Sequence, residues 1–228
     1  MDILPKFYSQ NPKFFLAVDC IIFGFQRGSL KLLIQQRNFE PFKGQWSLMG
    51  GFVQEGESLD EAAQRVLCEL TGLKNVYLEQ VGAFGAVDRD PGARVISIAY
   101  YALLDIEKCN ASLNTKNDAY WEDINHLPEL YFDHNDMVQQ AHAQLRRKVS
   151  IEPLGFQLLP SLFTLSQLQS LYEAILGEAI DKRNFRKRVD EMPFIEKTAL
   201  IDKTGSKRGA ALYRFNNKAY NKILKFKL

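Results

Sequence analysis

Hydrophobic residues run almost unbroken over residues 14–25 (FFLAVDCIIFGF) and return over 30–36 (LKLLIQQ). Both stretches are rich in β-branched and aromatic side chains, and Gly24 and Gly28 punctuate the gap, so the pattern predicts a β-hairpin. Gly44, Gly50 and Gly51 then mark loops where the backbone bends sharply or approaches a neighbour closely. A helix is expected next. Ser58 with Glu61 three residues on fits a capping box, Ala62, Val66, Leu67 and Leu70 supply an apolar stripe, and Gly72 is a C-cap. Two more strands are predicted near residues 76–87 and 95–106, either side of the charged turn Asp88-Arg89-Asp90-Pro91-Gly92.

After Trp121 the apolar period lengthens. Met137, Val138, Ala141, Leu145 and Val149 recur at helical spacing, with Arg146, Arg147 and Lys148 at the end where a helix dipole favours cations. Residues 151–160, bracketed by prolines, form the best boundary, dividing the chain into 1–149 and 150–228. Beyond it, Thr164 and Gln167 make a second capping box before a helical face of Leu165, Leu168, Leu171, Tyr172, Ile175 and Leu176, and Gly177 stops it. A turn at 178–181 leads to a helix over 182–192, then two short strands, 196–202 and 211–216. Helix, turn, helix and a basic-tipped hairpin is the plan of a winged helix-turn-helix.

Charge sharpens that division. The net charge of +2 is a sum of opposites: residues 182–228 carry 14 Lys/Arg against 4 Asp/Glu, while residues 1–181 carry 15 against 23. An acidic body with a strongly basic end points to a polyanionic partner. On the 182–192 helix, Phe185, Val189 and Met192 fall on one side; Arg183 and Lys187 face the other way, flanked by Lys182, Asn184 and Arg186. Arg can take guanine bidentately, Asn can take adenine, and Lys grips phosphate. Lys203, Lys207 and Arg208 sit at the hairpin tip, and Arg214, Lys218, Lys222, Lys225 and Lys227 extend the basic surface. A basic helix can also be merely solvated; the ordered plan around it favours nucleic acid, and the scarcity of stacking aromatics favours duplex DNA over RNA.

Other classes are excluded by composition. At 46% apolar and 25% charged residues the chain is neither disordered nor collagenous. Cys20, Cys68 and Cys109 are odd in number and in no metal-like spacing, which predicts reduced thiols. His126, His134 and His142 are likewise not at zinc spacing and read as ordinary helix and loop residues. The apolar run at 14–25 contains Asp19 and falls short of the ~20 residues a membrane span needs. MDILPKF lacks a signal pattern, so a cytoplasmic protein without membrane association is expected.

One constellation carries chemistry. Gly51, Glu57, Arg65, Leu67, Glu69, Gly72 and Leu73 match, in register over 23 positions, the pattern G-x5-E-x7-R-E-U-x-E-E-x-G-U, where U is aliphatic. The segment resembles the Nudix box, which implies a Nudix α/β/α sandwich over the first ~150 residues. The family's R-E-U-x-E-E segment puts three carboxylates on one helix face to hold Mg²⁺ for attack on a nucleoside-diphosphate linkage. Here the first is Val66 and the last Leu70. Glu69 remains, with Glu57 outside the helix, and a hard dication needs more oxygen ligands than that. No cofactor is therefore expected, with Mg²⁺ entering only if residual hydrolysis persists, and Arg65 with Glu69 reads as an i,i+4 ion pair. The cleft could still line a ligand pocket through Arg37, Trp46, Phe84, Arg89 and Arg94, with Tyr100 near them; each could equally be a surface salt bridge or a core aromatic.

A degenerate Nudix domain joined to a winged helix resembles the Nudix-related transcriptional regulators of the NrtR type. The likeness extends to Phe132-Asp-His134 and to Leu171-Tyr-Glu-Ala-Ile and Asp181-Lys-Arg-Asn-Phe-Arg186. It implies an α+β architecture and a homodimeric repressor or activator that binds double-stranded operator DNA under control of a small effector. One branch of the family responds to ADP-ribose and another, in Bacteroidetes, to arabinose. The cleft without metal carboxylates leans the expectation toward the sugar branch. A Nudix hydrolase acting on ADP-ribose or a related compound is the alternative, and a DNA-binding scaffold whose Nudix half only dimerises is a third reading.

Overall fold

The computed structural model describes residues 8–38, 40, 42–74, 76–112, 118–204 and 208–224. Its first strand, β1 (Phe15–Gln26), alternates strictly: Val18, Cys20 and Ile22 face one apolar cluster, Ile21 and Phe23 the other. The same alternation holds in β2 (Ser29–Gln36) and in β6 (Val95–Leu104), where Tyr100 and Ala102 point opposite to Tyr101 and Leu103. A sheet buried on both faces needs this double sorting, and the unbroken apolar runs in the sequence reflect it.

The predicted hairpin joins β1 to β2 through Arg27 and Gly28, both at positive φ (51° and 80°), which suits a two-residue turn matched to strand twist. The sheet has seven strands. Its path runs β3 (Trp46–Ser47), β2, β1, β6 and β5 (Leu78–Phe84); β4 (Met49–Phe52) also pairs with β1, and β7 (Ala119–Asp123) with β2. Strands β1 and β6 are parallel and the other pairings antiparallel. The strand expected to reach residue 106 stops at Leu104, because Asp105 accepts the Glu107 N–H at 3.0 Å and starts α2 (Ile106–Ser112).

Helix α1 (Leu59–Thr71) covers one face with Ala62, Ala63, Val66 and Leu67; the Ser58/Glu61 capping box and the left-handed Gly72 cap are both present. Helix α3 (His134–Val149) covers the other with Met137, Val138, Ala141, Leu145 and Val149.

The second half supplies α4 (Leu165–Leu176), with the Thr164/Gln167 capping box and the Gly177 cap, and α5 (Lys182–Asp190). A three-stranded sheet follows, in the order β8 (Phe163–Thr164), β10 (Ala210–Phe215), β9 (Ile195–Asp202), and then α6 (Asn217–Leu224). Helix α6 was not expected from the lysine spacing; the Asn216 side chain starts it by accepting the Ala219 N–H at 3.0 Å. The architecture is thus a mixed α+β sandwich followed by a winged helix.

The two halves do not have separate cores. Leu168, Leu171 and Ile175 of α4, with Phe185 and Val189 of α5, belong to the same buried cluster as Ile21, Phe23, Met137 and Leu145. His142 of α3 also reaches across, its Nε2 lying 3.1 Å from the Ile175 carbonyl oxygen near the end of α4.

Candidate functional site

In the glycine–glutamate segment, one guanidinium organises everything nearby. Arg65 donates from Nε to Glu57 Oε2 at 3.0 Å and from Nη2 to Glu57 Oε1 at 2.7 Å, and Nη2 also reaches the Phe52 carbonyl at 3.0 Å. The expected pair with Glu69 is present but longer, at 3.5 Å and with Glu69 well exposed. The Arg65 hydrogen bond and the Gln54 N–H hold the Glu57 carboxyl down to about 2. Val66 is 3% exposed and sits below Gly51, where an added β-carbon would come within 3.1 Å of Val66 Cγ2; Leu70 packs against the same apolar cluster. These residues do not fit a divalent-cation centre. Both remaining carboxylates lean on one guanidinium, the neighbouring positions are apolar, and no metal-like group of three His, Cys, Asp or Glu occurs among the described residues.

A second, buried polar cluster lies under the adjoining glycine. Asp19, on the α3-facing side of β1, accepts the Ser97 hydroxyl at 2.6 Å. Arg89 forms a two-pronged bond to Asp133 (2.8 and 2.7 Å) and lies 3.7 Å from Asp19, with its side chain 4% exposed. The Nδ1 of His134 accepts the Leu48 backbone N–H at 3.0 Å, so the proton of the neutral ring resides on Nε2, which faces Asp19 Oδ1 at 3.6 Å. Burial holds the His134 ring below its usual pKa, with the positive charges of Arg89 and Arg37 acting in the same direction against Asp19 and Asp133.

Of the five expected ligand contacts, the structure gathers three around this cluster. Arg37 lies half-buried with its guanidinium 6.0 Å from the Phe132 ring. Trp46 meets Tyr120 edge-on at 5.6 Å, and its carbonyl accepts the Tyr131 N–H at 2.8 Å. Arg89 is the buried member, committed to Asp133. The other two make their contacts elsewhere: Phe84 packs from β5 against the α3-side core, and Arg94 donates to the Ala86 carbonyl at 2.9 Å while covering the Phe14 ring. Tyr100 is buried and donates to Asp60 at 2.6 Å. Sequence reasoning missed the aromatic group of Phe42, Tyr131 and Phe132 above the cluster, with ring centroids 4.2–5.7 Å apart, and the part played by His134 and Asp19. A lone aspartate inside an otherwise apolar strand was the one available signal.

The basic surface is arranged on α5 and the wing. Asp181 caps α5 by accepting the Asn184 N–H at 2.8 Å, and Glu173 fixes the preceding turn by accepting the Ile180 N–H at 3.0 Å. Phe185 and Val189 are buried, whereas Lys182, Arg183, Asn184, Arg186 and Lys187 are exposed. Among the described residues none of the four cations has a carboxylate partner within ion-pair distance. Lys203 and Arg208 flank the wing tip and are exposed; Lys207, Lys225 and Lys227 lie outside the described residues. Gly209 is required there, since its φ is +70° and a β-carbon would fall 2.3 Å from Ile201 Cγ2. Arg214 is drawn into a 2.8 Å pair with Glu196, and Lys218 and Lys222 of α6 are exposed.

Comparison with known proteins bears on both halves. Residues 13–149 match the NUDIX domain family, and residues 155–215 match the NrtR DNA-binding winged helix domain family. The chain is similar to the ADPR responsive transcriptional repressor NtrR of Acinetobacter baylyi: 37% identical over 217 residues, covering 93% of this chain and 86% of that protein. Its fold is similar to Shewanella oneidensis NrtR complexed with a 27mer DNA, with a TM-score of 0.80 and 31% identity over 90% of this chain and 95% of that one. The NUDIX domain of Shewanella oneidensis NrtR complexed with ADP ribose aligns at a TM-score of 0.52 and 30% identity, covering 64% of this chain and 99% of that domain.

Proposed function

The chain belongs to the NrtR family, a Nudix domain with a C-terminal winged helix, and from that premise we propose that it is a transcriptional repressor released from duplex DNA by ADP-ribose. The observation that carries this reading is the exposed cationic face of α5, without a carboxylate partner among the described residues, set on a helix whose Phe185 and Val189 root in the core shared with the Nudix half. Similarity over nearly the full chain to an ADPR responsive repressor supports the effector.

In this reading residues 1–149 sense and residues 150–228 read. Arg183 and Lys187, with Lys182, Asn184 and Arg186, enter the major groove, and Lys203, Lys207 and Arg208 grip phosphate from the wing. Two chains form a homodimer whose recognition helices meet half-sites about one helical turn apart. Arg37, Arg89, Trp46 and the Phe132 shelf border the effector cleft, whereas Phe84 and Arg94, engaged elsewhere, stand outside it. Helix α3 links the two functions: Asp133 and His134 begin it at the buried cluster, and His142 meets α4. Effector binding releases DNA only by the difference in its affinity for the DNA-bound and DNA-free arrangements.

The Nudix half is proposed to be catalytically silent, since the two carboxylates it retains are tied to Arg65. No cofactor is needed for sensing, and a protein that reads chromosomal DNA resides in the cytoplasm. No described helix is long and apolar enough to cross a membrane. The arabinose branch has less behind it, because it rests on the missing metal carboxylates, and ADP-ribose can be sensed without being hydrolysed. A gel shift on the protein's own upstream DNA, titrated separately with ADP-ribose, arabinose and xylose, tests the reading: release by ADP-ribose supports it, release by a pentose replaces the effector. Mg²⁺-dependent release of AMP from ADP-ribose, abolished by Glu69→Gln, would restore the hydrolase.

A further inference from the structure

A cavity of about 590 Å³ opens between the two reader helices and the segment that follows α3. Apart from Asn184 at its edge, none of the residues that line it is assigned to DNA reading or effector sensing. Phe156, Leu168, Tyr172, Phe185 and Phe194 give it an apolar lining, and its volume is within the range of small-molecule sites.

Three polar side chains border it with no hydrogen-bond or ion-pair partner among the described residues: the Tyr172 hydroxyl, the Asn184 carboxamide and the Arg188 guanidinium. No sealed side-chain nitrogen or oxygen lacks a partner among those residues, so the Tyr172 hydroxyl is accessible rather than sealed in. Burial, with the nearby Tyr220, pushes this hydroxyl up to about 12; like any neutral phenol it donates at neutral pH. Asn184 and Arg188 are four residues apart on α5, one turn above the other, and lie to one side of the Arg183/Lys187 face.

The carboxylates at the rim are mostly committed. Asp181 is occupied as the α5 cap, and Glu152 lies 4.0 Å from Lys148; Glu178 stands exposed at the edge. Arg188 is left as a cation beside an apolar hollow, with two neutral donors nearby.

We propose that this cavity is a second small-molecule site, separate from the Nudix cleft, that takes an amphipathic carboxylate. The apolar body lies against Phe156, Leu168 and Phe185, and the carboxylate accepts from Arg188, Asn184 and Tyr172. Charge-assisted bonds to a guanidinium supply the preference for an anion over an alcohol of the same length.

Decanoate, decanol and decylamine serve as probes, titrated calorimetrically into the DNA-free full-length chain. Decanoate should bind saturably at one site and at least tenfold more tightly than decanol or decylamine. Tyr172→Phe and Arg188→Gln should each weaken decanoate about fivefold or more with an unchanged melting temperature; Arg188 is exposed, so its replacement leaves the fold intact. Absence of saturable decanoate binding overturns the proposal. So does equal or tighter binding of decanol or decylamine, or wild-type affinity in both variants.

Discussion

Gly50 and Asp19 are cross-strand partners between β4 and β1, so close that a β-carbon on Gly50 would stand 2.1 Å from the Asp19 carboxylate. The Val18 carbonyl oxygen would be only 2.9 Å away, so the strand pairing leaves no room to retreat. The glycine is what lets a buried carboxylate lie beneath the cleft. Gly50→Ala is expected to cost about 1–3 kcal/mol, as over-packing does, read as a lower urea midpoint. A variant as stable as the parent contradicts this packing.

Arg89 stands between two carboxylates, Asp133 at 2.7 Å and Asp19 at 3.7 Å, inside the protein. Removing it by Arg89→Ala leaves both acids uncompensated and should cost about 3 kcal/mol, while Asp133→Asn, which keeps a neutral acceptor, should cost less. Urea denaturation of both variants measures this. If Arg89→Ala retains full stability and loses only ADP-ribose binding, Arg89 contacts the effector directly rather than holding the cleft.

His134 is buried neutral, its folded pKa below the ordinary value of about 6.5. The unfolded chain therefore binds more protons, and stability present above about pH 6.5 is lost as pH falls through that value toward the lowered one. His142, lowered chiefly by burial, contributes with the same sign. His134→Asn keeps an acceptor for the Leu48 N–H without titrating there, so urea midpoints between pH 7 and 5.5 should fall less steeply. An unchanged slope places the titration elsewhere.

Much of this architecture was readable from residue spacing. Both capping boxes, the glycine caps at 72 and 177, and the hairpin at 27–28 are local devices, and local chemistry is written locally. The box at Gly51, Glu57 and Arg65 was equally plain, and so was the loss of carboxylates at Val66 and Leu70. What spacing could not give was side-chain direction over long separations. Asp19 meets Ser97 across 78 residues, and Leu48 meets His134 across 86, pairings that only the closed sandwich creates. Arg65 spends its best bonds on Glu57 rather than Glu69 because the loop before α1 folds back onto the helix, beyond the reach of an i,i+4 rule. The shared core was illegible for the same reason: α4 and α5 show ordinary amphipathic stripes, with nothing to say whose apolar face they meet.

The α5 surface makes its own prediction. Arg183 and Lys187 project opposite Phe185 and Val189, and neither has an acidic partner among the described residues. Replacing both with Ala should cripple operator binding and make the logarithmic salt dependence shallower by about one to two, while calorimetric ADP-ribose binding stays intact. Normal operator affinity in the double variant would move the recognition surface away from α5.

In the proposed mechanism effector binding in the cleft weakens DNA reading, and one titration measures that coupling. Operator DNA from the region upstream of the protein's own gene is labelled, bound to the full-length chain at fixed salt, and followed by fluorescence anisotropy as ADP-ribose is added without Mg²⁺. ADP-ribose should lower operator affinity by about fivefold or more, the range of ordinary allosteric coupling, whereas arabinose should not. Operator affinity unchanged at saturating ADP-ribose would contradict this coupling.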